Sequence, residues 1–420
     1  MKKGFTLIEL LAVILILGII ALIAIPTVNK IVSETKLSAF KVSVENTLKA
    51  VETQCKLDLL KNIEPNLNYT LYDGEFIDNI EIKGSLPKEG YIILDNNCDV
   101  NYYYLVTDNM VDRNTEFIED QMIESSIKEG ESIFKKIYAS YYDNIDSISF
   151  INNLNIPENA IEINDISVSK NGKVKSWLVE NSGLYHLYVG SIDKVYTNYN
   201  SSNLFAYNNA STINLDNLYT DYSYDLGLMF AQMKKIEIID LTKFNIEKAV
   251  NLHGMFVFSK KLKTIIGLEN LDVSSVRIFR SLFNDTTILA SVDLSNWKPR
   301  KVIDLHATFH CPQVIQHVDL SNFNVSETEI ISTLFYSAHK LETVKFSNWN
   351  LPDNVIVNDM IFHSNPYLDY IYLDGATDTT INIIAEALKK SNSIATNKII
   401  YVDEVKDIYP EVPGWTYQTI

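Results

Sequence analysis

Apolar and polar positions follow three successive patterns along the chain. From Leu10 to Asn29 no charge interrupts a run of Leu, Ile, Val, Ala and Gly, about the 20 residues that span a bilayer as a helix. From Val28 to Leu57 the apolar residues Val28, Ile31, Val32, Leu37, Phe40, Val44, Leu48, Val51 and Leu57 recur at helical spacing with Lys and Glu between them. One helix from about Phe5 to Leu60 is predicted, on the order of 80 Å long at 1.5 Å per residue. Its apolar positions drift off a strict heptad, which argues against a free coiled coil.

The second pattern, over 61–182, mixes short helical and strand-like stretches without repetition and predicts a small αβ head. Ile166 to Val174 reads as a hairpin, with Asn171-Gly172 supplying the positive φ angles of a type I′ turn.

The third pattern, over 183–373, is a repeat. Val292-Asp-Leu-Ser-Asn-Trp297, Val318-Asp-Leu-Ser-Asn-Phe323 and Val344-Lys-Phe-Ser-Asn-Trp349 share one motif, preceded by versions at Ile239 and Ile266, with weaker copies at Leu187, Ile213 and Ile371. A second marker, Phe230, Phe256, Phe283, Phe309, Phe335 and Phe362, keeps the same interval of 26 or 27 residues. Each unit is expected to place Val292 and Leu294, or their equivalents, inward on a short strand. The column Phe244, Leu271, Trp297, Phe323 and Trp349 is expected in the core rather than as a carbohydrate platform. Asn296, Asn322 and Asn348 share one position and could form a ladder of amides. Residues 374–420 read as a terminal cap: a helix from Ile381 to Lys390, a strand from Lys398 to Val402, and Trp415. The fold class is α+β, a long helix and small head followed by a solenoid of ~26-residue repeats.

A chain of 420 residues has material for two or three cores. Its net charge of -17 argues against general nucleic-acid binding, which draws on clustered cations. Lys260, Lys261 and Lys263, and Lys298, Arg300 and Lys301, read as solvated surface. Three cysteines leave room for one bridge and an odd thiol; Cys55 and Cys98 are the candidate pair, two free buried thiols the alternative. His306 and His310 have a spacing that would suit a metal on a helix, but no further ligands stand nearby in sequence, so no metal is assigned. No nucleophile elbow, phosphate loop or zinc-protease motif is present, and no enzyme activity or cofactor is expected.

Two details of the N-terminus set it apart from a cleaved signal. The leader-like junction, Gly4-Phe5, precedes the apolar run instead of following it, and Glu9 places a carboxylate at the head of a membrane-length segment, where it is costly without a partner. Lys2-Lys-Gly-Phe-Thr-Leu-Ile-Glu-Leu10 closely resembles the class III signal of type IV pilins and pseudopilins. That resemblance implies cleavage after Gly4 by a prepilin peptidase, methylation of Phe5, pairing of Glu9 with the N-terminal amine of a neighbouring subunit, and a helix kink at Pro26. It gives a leader at 1–4, a pilin helix at 5–60 and the head at 61–182. The repeats resemble the BspA-like leucine-rich repeats of bacterial surface proteins. Together the resemblances imply a single-pass membrane protein that moves into a pilus at the cell surface. It would be a minor, tip-located pilin whose repeats bind a host or matrix protein or glycan; the alternative is a pseudopilin of a secretion or DNA-uptake machine.

Overall fold

The structure is a computed structural model. It describes residues 7–63, 65, 67–72, 75–76, 80, 86–107, 110–113, 120–125, 131–358 and 360–420, with side chains of the first helix at Val32 and from Glu34 onward. The chain divides into two compact units, Met1–Asn114 and Thr115–Ile420. The head predicted over 61–182 therefore falls partly in each.

In the first unit, helix α1 (Leu7–Leu60) runs unbroken for 54 residues. Its buried face carries Phe40, Val44, Val51 and Cys55, three or four residues apart or multiples of it. Thr47 lies on the same face and satisfies its hydroxyl on Ser43 O at 2.7 Å. Val32, Leu37 and Leu57, expected on this face, are exposed. The face packs on a five-stranded antiparallel sheet ordered β2-β1-β3-β4-β5, made of β1 (Asn68–Tyr72), β2 (Glu75–Phe76), β3 (Glu89–Leu94), β4 (Val100–Thr107) and β5 (Met110–Arg113). A disulfide joins Cys55 to Cys98, with Cα atoms 5.7 Å apart. The turn that carries Cys98 is held by Asp95, whose carboxylate accepts from the backbone of Asn97 and Asp99 at 2.8 and 3.0 Å. Lys56 reaches Asp99 at 2.9 Å, and Glu52 accepts from Val100 N at 3.1 Å, so helix and turn are stapled at three neighbouring points.

In the second unit Met122 and Ile123 bridge to Tyr196 and Ser167, and the short helix α2 (Ile133–Ile137), capped by Ser132, follows. The sheet that follows is ordered β11-β6-β9-β8-β7, from β6 (Ile145–Ile151), β7 (Ala160–Asp165), β8 (Lys175–Asn181), β9 (Leu184–Gly190) and β11 (Thr212–Asn214). Between β9 and β11 lies β10 (Val195–Tyr196), paired in parallel with β12 (Leu218–Tyr219). The two-residue turn with positive φ at both positions is Ser182-Gly183, at 54° and 82°, between β8 and β9. The segment 166–174, read as a hairpin, closes the antiparallel pair β7 and β8, with Ile166 N–H donating to Val174 O at 3.0 Å, but the expected type I′ turn is not formed, since positive φ falls on Lys170 and Gly172 and not on Asn171. Its fold is set by Asp165, which accepts from the backbone of Ser167 and Gly172 at 3.0 and 2.8 Å and from the Ser167 hydroxyl at 2.6 Å. Burial raises that carboxyl, but these bonds outweigh it and hold its pKa below the usual value.

From Asn200 onward the repeats lie side by side. One residue of each forms a parallel bridge to the next, in the series Asn200, Asp225, Asn251, Ile278, Asp304, Ile330 and Ile356. The phenylalanine column is continuous and begins one repeat earlier than expected, at Phe205. Successive rings stand 5.2, 5.9, 5.8, 5.4, 5.3 and 5.9 Å apart through Phe362. Phe244, Leu271, Trp297, Phe323 and Trp349 are all buried. Trp297 and Trp349 donate their indole N–H to Leu268 O and Leu320 O of the preceding repeat at 2.9 and 2.8 Å. Of the asparagine ladder, Asn322 makes the cross-repeat bond, to Ser295 O at 2.8 Å.

On the bridge side each repeat holds two residues at positive φ, as in Leu228 and Gln232, Ser281 and Asp285, or Thr333 and Ser337. This alternation aims the N–H groups one way, so each repeat donates to the carbonyls of the next: Phe230 to Met255, Phe283 to Thr308, Phe309 to Leu334. The stack is thus polar, and the carbonyls of its first member need outside donors. Ser132 and Tyr142 supply them, at 2.6 Å to Leu204 O and 2.7 Å to Ala206 O.

The opposite side carries the short strands β13 (Ile238–Asp240), β14 (Thr264–Ile266), β15 (His317–Asp319), β16 (Thr343–Lys345) and β17 (Tyr370–Tyr372). β13 and β14 pair, and β15 to β17 pair, but the segment around Val292 forms no strand, contrary to expectation, although Val292 and Leu294 are buried. One repeat earlier Gly267, at φ 81°, ends β14 and leads into a 3-10 turn at Leu268–Asn270. Beyond β17, helix α3 (Asp378–Leu388) is capped by Thr377. Strands β18 (Lys398–Val402) and β19 (Trp415–Thr419) extend the same parallel sheet; the terminal segment read as a cap continues the array.

Candidate functional site

The residues that sequence assigns to processing and assembly fall at the chain's start. Gly4 and Phe5 lie outside the described residues, and so do the side chains of Glu9 and Pro26, although the helix runs through both positions. Among the described residues no helix is long and apolar enough to cross a membrane; the apolar run Leu10–Asn29 carries side chains outside that description.

Around the missing strand, the outward face of the array holds a cavity of about 390 Å³. Its rim is formed by Ser291 and Asp293 on one side and by Gln316, His317, Asp319 and Lys345 on the other. Ala290 and Ser291 line it where the flanking repeats carry the larger Lys263-Thr264 and Gln316-His317, a difference that comparison between repeats could have exposed. Hydrogen bonds from the Ser295 hydroxyl and backbone hold Asp293 below the usual carboxylate range. Burial raises Asp319, yet Ser321 and Lys345, the latter 3.3 Å away, bring its net pKa below the usual value. Lys345 also lies over the ring of Tyr372, which stacks on Tyr401 at 4.6 Å. Such a rim offers hydrogen bonds and fixed charge to a ligand. It pairs no nucleophile with a base.

His306 and His310 have different surroundings. The backbone N–H of His306 donates to Asp304 at 2.7 Å, and Asp304 is held by Arg280 at 3.2 Å. Burial first, and Arg280 second, lower the His306 pKa; burial lowers that of His310, which packs edge-on against Tyr336 at 4.9 Å. Among the described residues no group of three His, Cys, Asp or Glu side chains is arranged to hold a metal. Cys311 is unpaired, and burial raises its thiol pKa.

Residues 1–25 match the prokaryotic N-terminal methylation motif, and 193–267 and 257–369 match a family described as Mycoplasma protein of unknown function, DUF285. A type IV major fimbrial protein, FimA, of Dichelobacter nodosus is 37% identical over 84 residues, 19% of this chain and 53% of that protein. The chain thus spans about half the length of this curated relative. No solved structure matches the chain. The chain therefore opens with the methylation signal of type IV pilins and carries, well behind it, a DUF285-type repeat region.

Proposed function

We propose that this protein is a minor type IV pilin, placed at or near a filament tip, that displays a leucine-rich-repeat-like solenoid for adhesion or protein recognition at the cell surface. The observation that carries the reading is the coexistence of a pilin signal at 1–25 with a repeat region at 193–369. The first supplies a route to the surface. The second supplies a long, regular array of exposed side chains behind one continuous core. A bulky array fits poorly at every position of a helical filament, which favours a minor over a major subunit.

In this reading a prepilin peptidase cleaves after Gly4, Phe5 is methylated, and the apolar stretch to Asn29 first anchors the chain in the membrane and then enters the filament core. Glu9 pairs there with the amine of a neighbouring subunit, which compensates a carboxylate otherwise costly in lipid. Pro26 adjusts the helix, and Cys55–Cys98 secures the helix end under its sheet. The protein has no catalytic role and works through other pilins. Replacing Gly4 blocks processing, whereas Glu9→Ala leaves cleavage intact and reduces recovery of the chain in sheared filaments at least about tenfold, a loss of the order of one compensated charge. Normal incorporation of the Glu9 variant would remove the charge pairing from the account. A pseudopilin of a secretion or DNA-uptake machine is the second reading, favoured if the processed chain stays with membranes.

A further inference from the structure

On the bridge side of the array the second left-handed position of each repeat turns outward. It is filled by Tyr207, Gln232, Phe258, Asp285, Cys311 and Ser337 in successive repeats. Two of these residues are aromatic, and they differ in burial: Tyr207 packs half-buried against Ala206, Ala231 and Val257, whereas Phe258, at φ 58°, leaves its side chain 44% exposed. A bulky residue in this conformation gains little from burial there and meets an unfavourable backbone, so the core does not account for it. The ring borders a surface cavity of about 470 Å³ lined by Gln232, Lys234, Phe258, Lys260 and Lys261.

The charges around it are unevenly committed. Lys260 is paired with Asp285 at 2.7 Å, and the flanking Lys235 and Lys263 are paired with Asp146 and Glu237 at 3.0 and 2.8 Å. Lys234 and Lys261 are exposed and have no carboxylate partner among the described residues. In a chain of net charge -17, two uncommitted ammonium groups thus adjoin an exposed aromatic face and a side-chain amide.

We propose that this cavity binds the terminal, carboxylated sugar of a glycan. The C–H face of a pyranose packs on the Phe258 ring, the carboxylate sits between Lys234 and Lys261, and ring hydroxyls reach the Gln232 amide. A nucleic acid would need a longer basic track and would meet the repulsion of the acidic whole. An acidic peptide offers the charge without the flat apolar face. The proposal rests on the recognition role given above to the repeats and names its ligand class.

The test uses the full-length chain in neutral detergent, titrated calorimetrically with sialyllactose and with a glucuronate-terminated disaccharide, against lactose as the neutral control. At least one acidic sugar binds about tenfold or more tighter than lactose, and its affinity falls as salt rises. Phe258→Ser and Lys234→Gln/Lys261→Gln each lower that affinity about tenfold while leaving the thermal unfolding midpoint in place. Equal binding of acidic and neutral sugars, no binding of either acidic sugar, or full affinity in both variants overturns the proposal. So does a single-stranded oligonucleotide that binds tighter than the sugars and is lost in the same variants. Because the chain is purified and unassembled, none of these results bears on whether it enters filaments.

Discussion

The hydroxyl of Tyr142 is buried in the second unit, and burial pushes its pKa up to about 12. It is tolerated because it closes the carbonyl end of a polar stack, donating to Ala206 O at 2.7 Å. Tyr142→Phe keeps the ring and removes the donor, leaving a buried carbonyl unpaired. The expected cost is about 1–3 kcal/mol, measured as a loss of chemical-denaturation stability; an unchanged midpoint would mean that water or another donor already serves Ala206. No pattern in the sequence points to this role, since a capping tyrosine has no periodic partner. The left-handed residues were equally illegible. Leu228, Gln232 and Thr333 occupy positive φ with none of the glycine or asparagine that ordinarily marks it; the hydrogen bonds to the neighbouring repeat hold them there.

At the scale of the element, the legible features were those with a period. The phenylalanine column and the Phe244-to-Trp349 column could be read because each repeat needs the same apolar residue at the same place, and both are buried. Phe309, fully buried between Phe283 and Phe335, should cost about 3–5 kcal/mol when replaced by Ala. An exposed control such as Tyr367→Ala should change stability little, and equal losses at the two sites would contradict a continuous stack. What could not be read was the unpaired segment at Val292 and the cavity beside it, because Val292-Asp-Leu keeps the same alternation as the motifs that do form strands. The turn chemistry misled in a different way: Asn171-Gly172 is the stronger type I′ signal, but the Asp165 carboxylate organises that loop, and Ser182-Gly183 makes the tight turn.

For the whole molecule, the N-terminal signal was legible because processing and membrane insertion constrain a short run of residues directly. The division at Asn114 was not, because no run of glycine, proline or charge marks it in the sequence. The two surface cavities were hidden for a related reason: Ser291 meets Gln316 and Asp319, and Phe258 meets Gln232 and Lys234, only when adjacent repeats align. The central claim is that this chain is processed as a pilin and carried to the cell surface in a filament. Mass spectrometry of the N-terminal peptide from sheared surface filaments tests it most directly. The account predicts a chain beginning at a methylated Phe5 in that fraction; a surface chain that still begins at Met1 with its leader intact would contradict it.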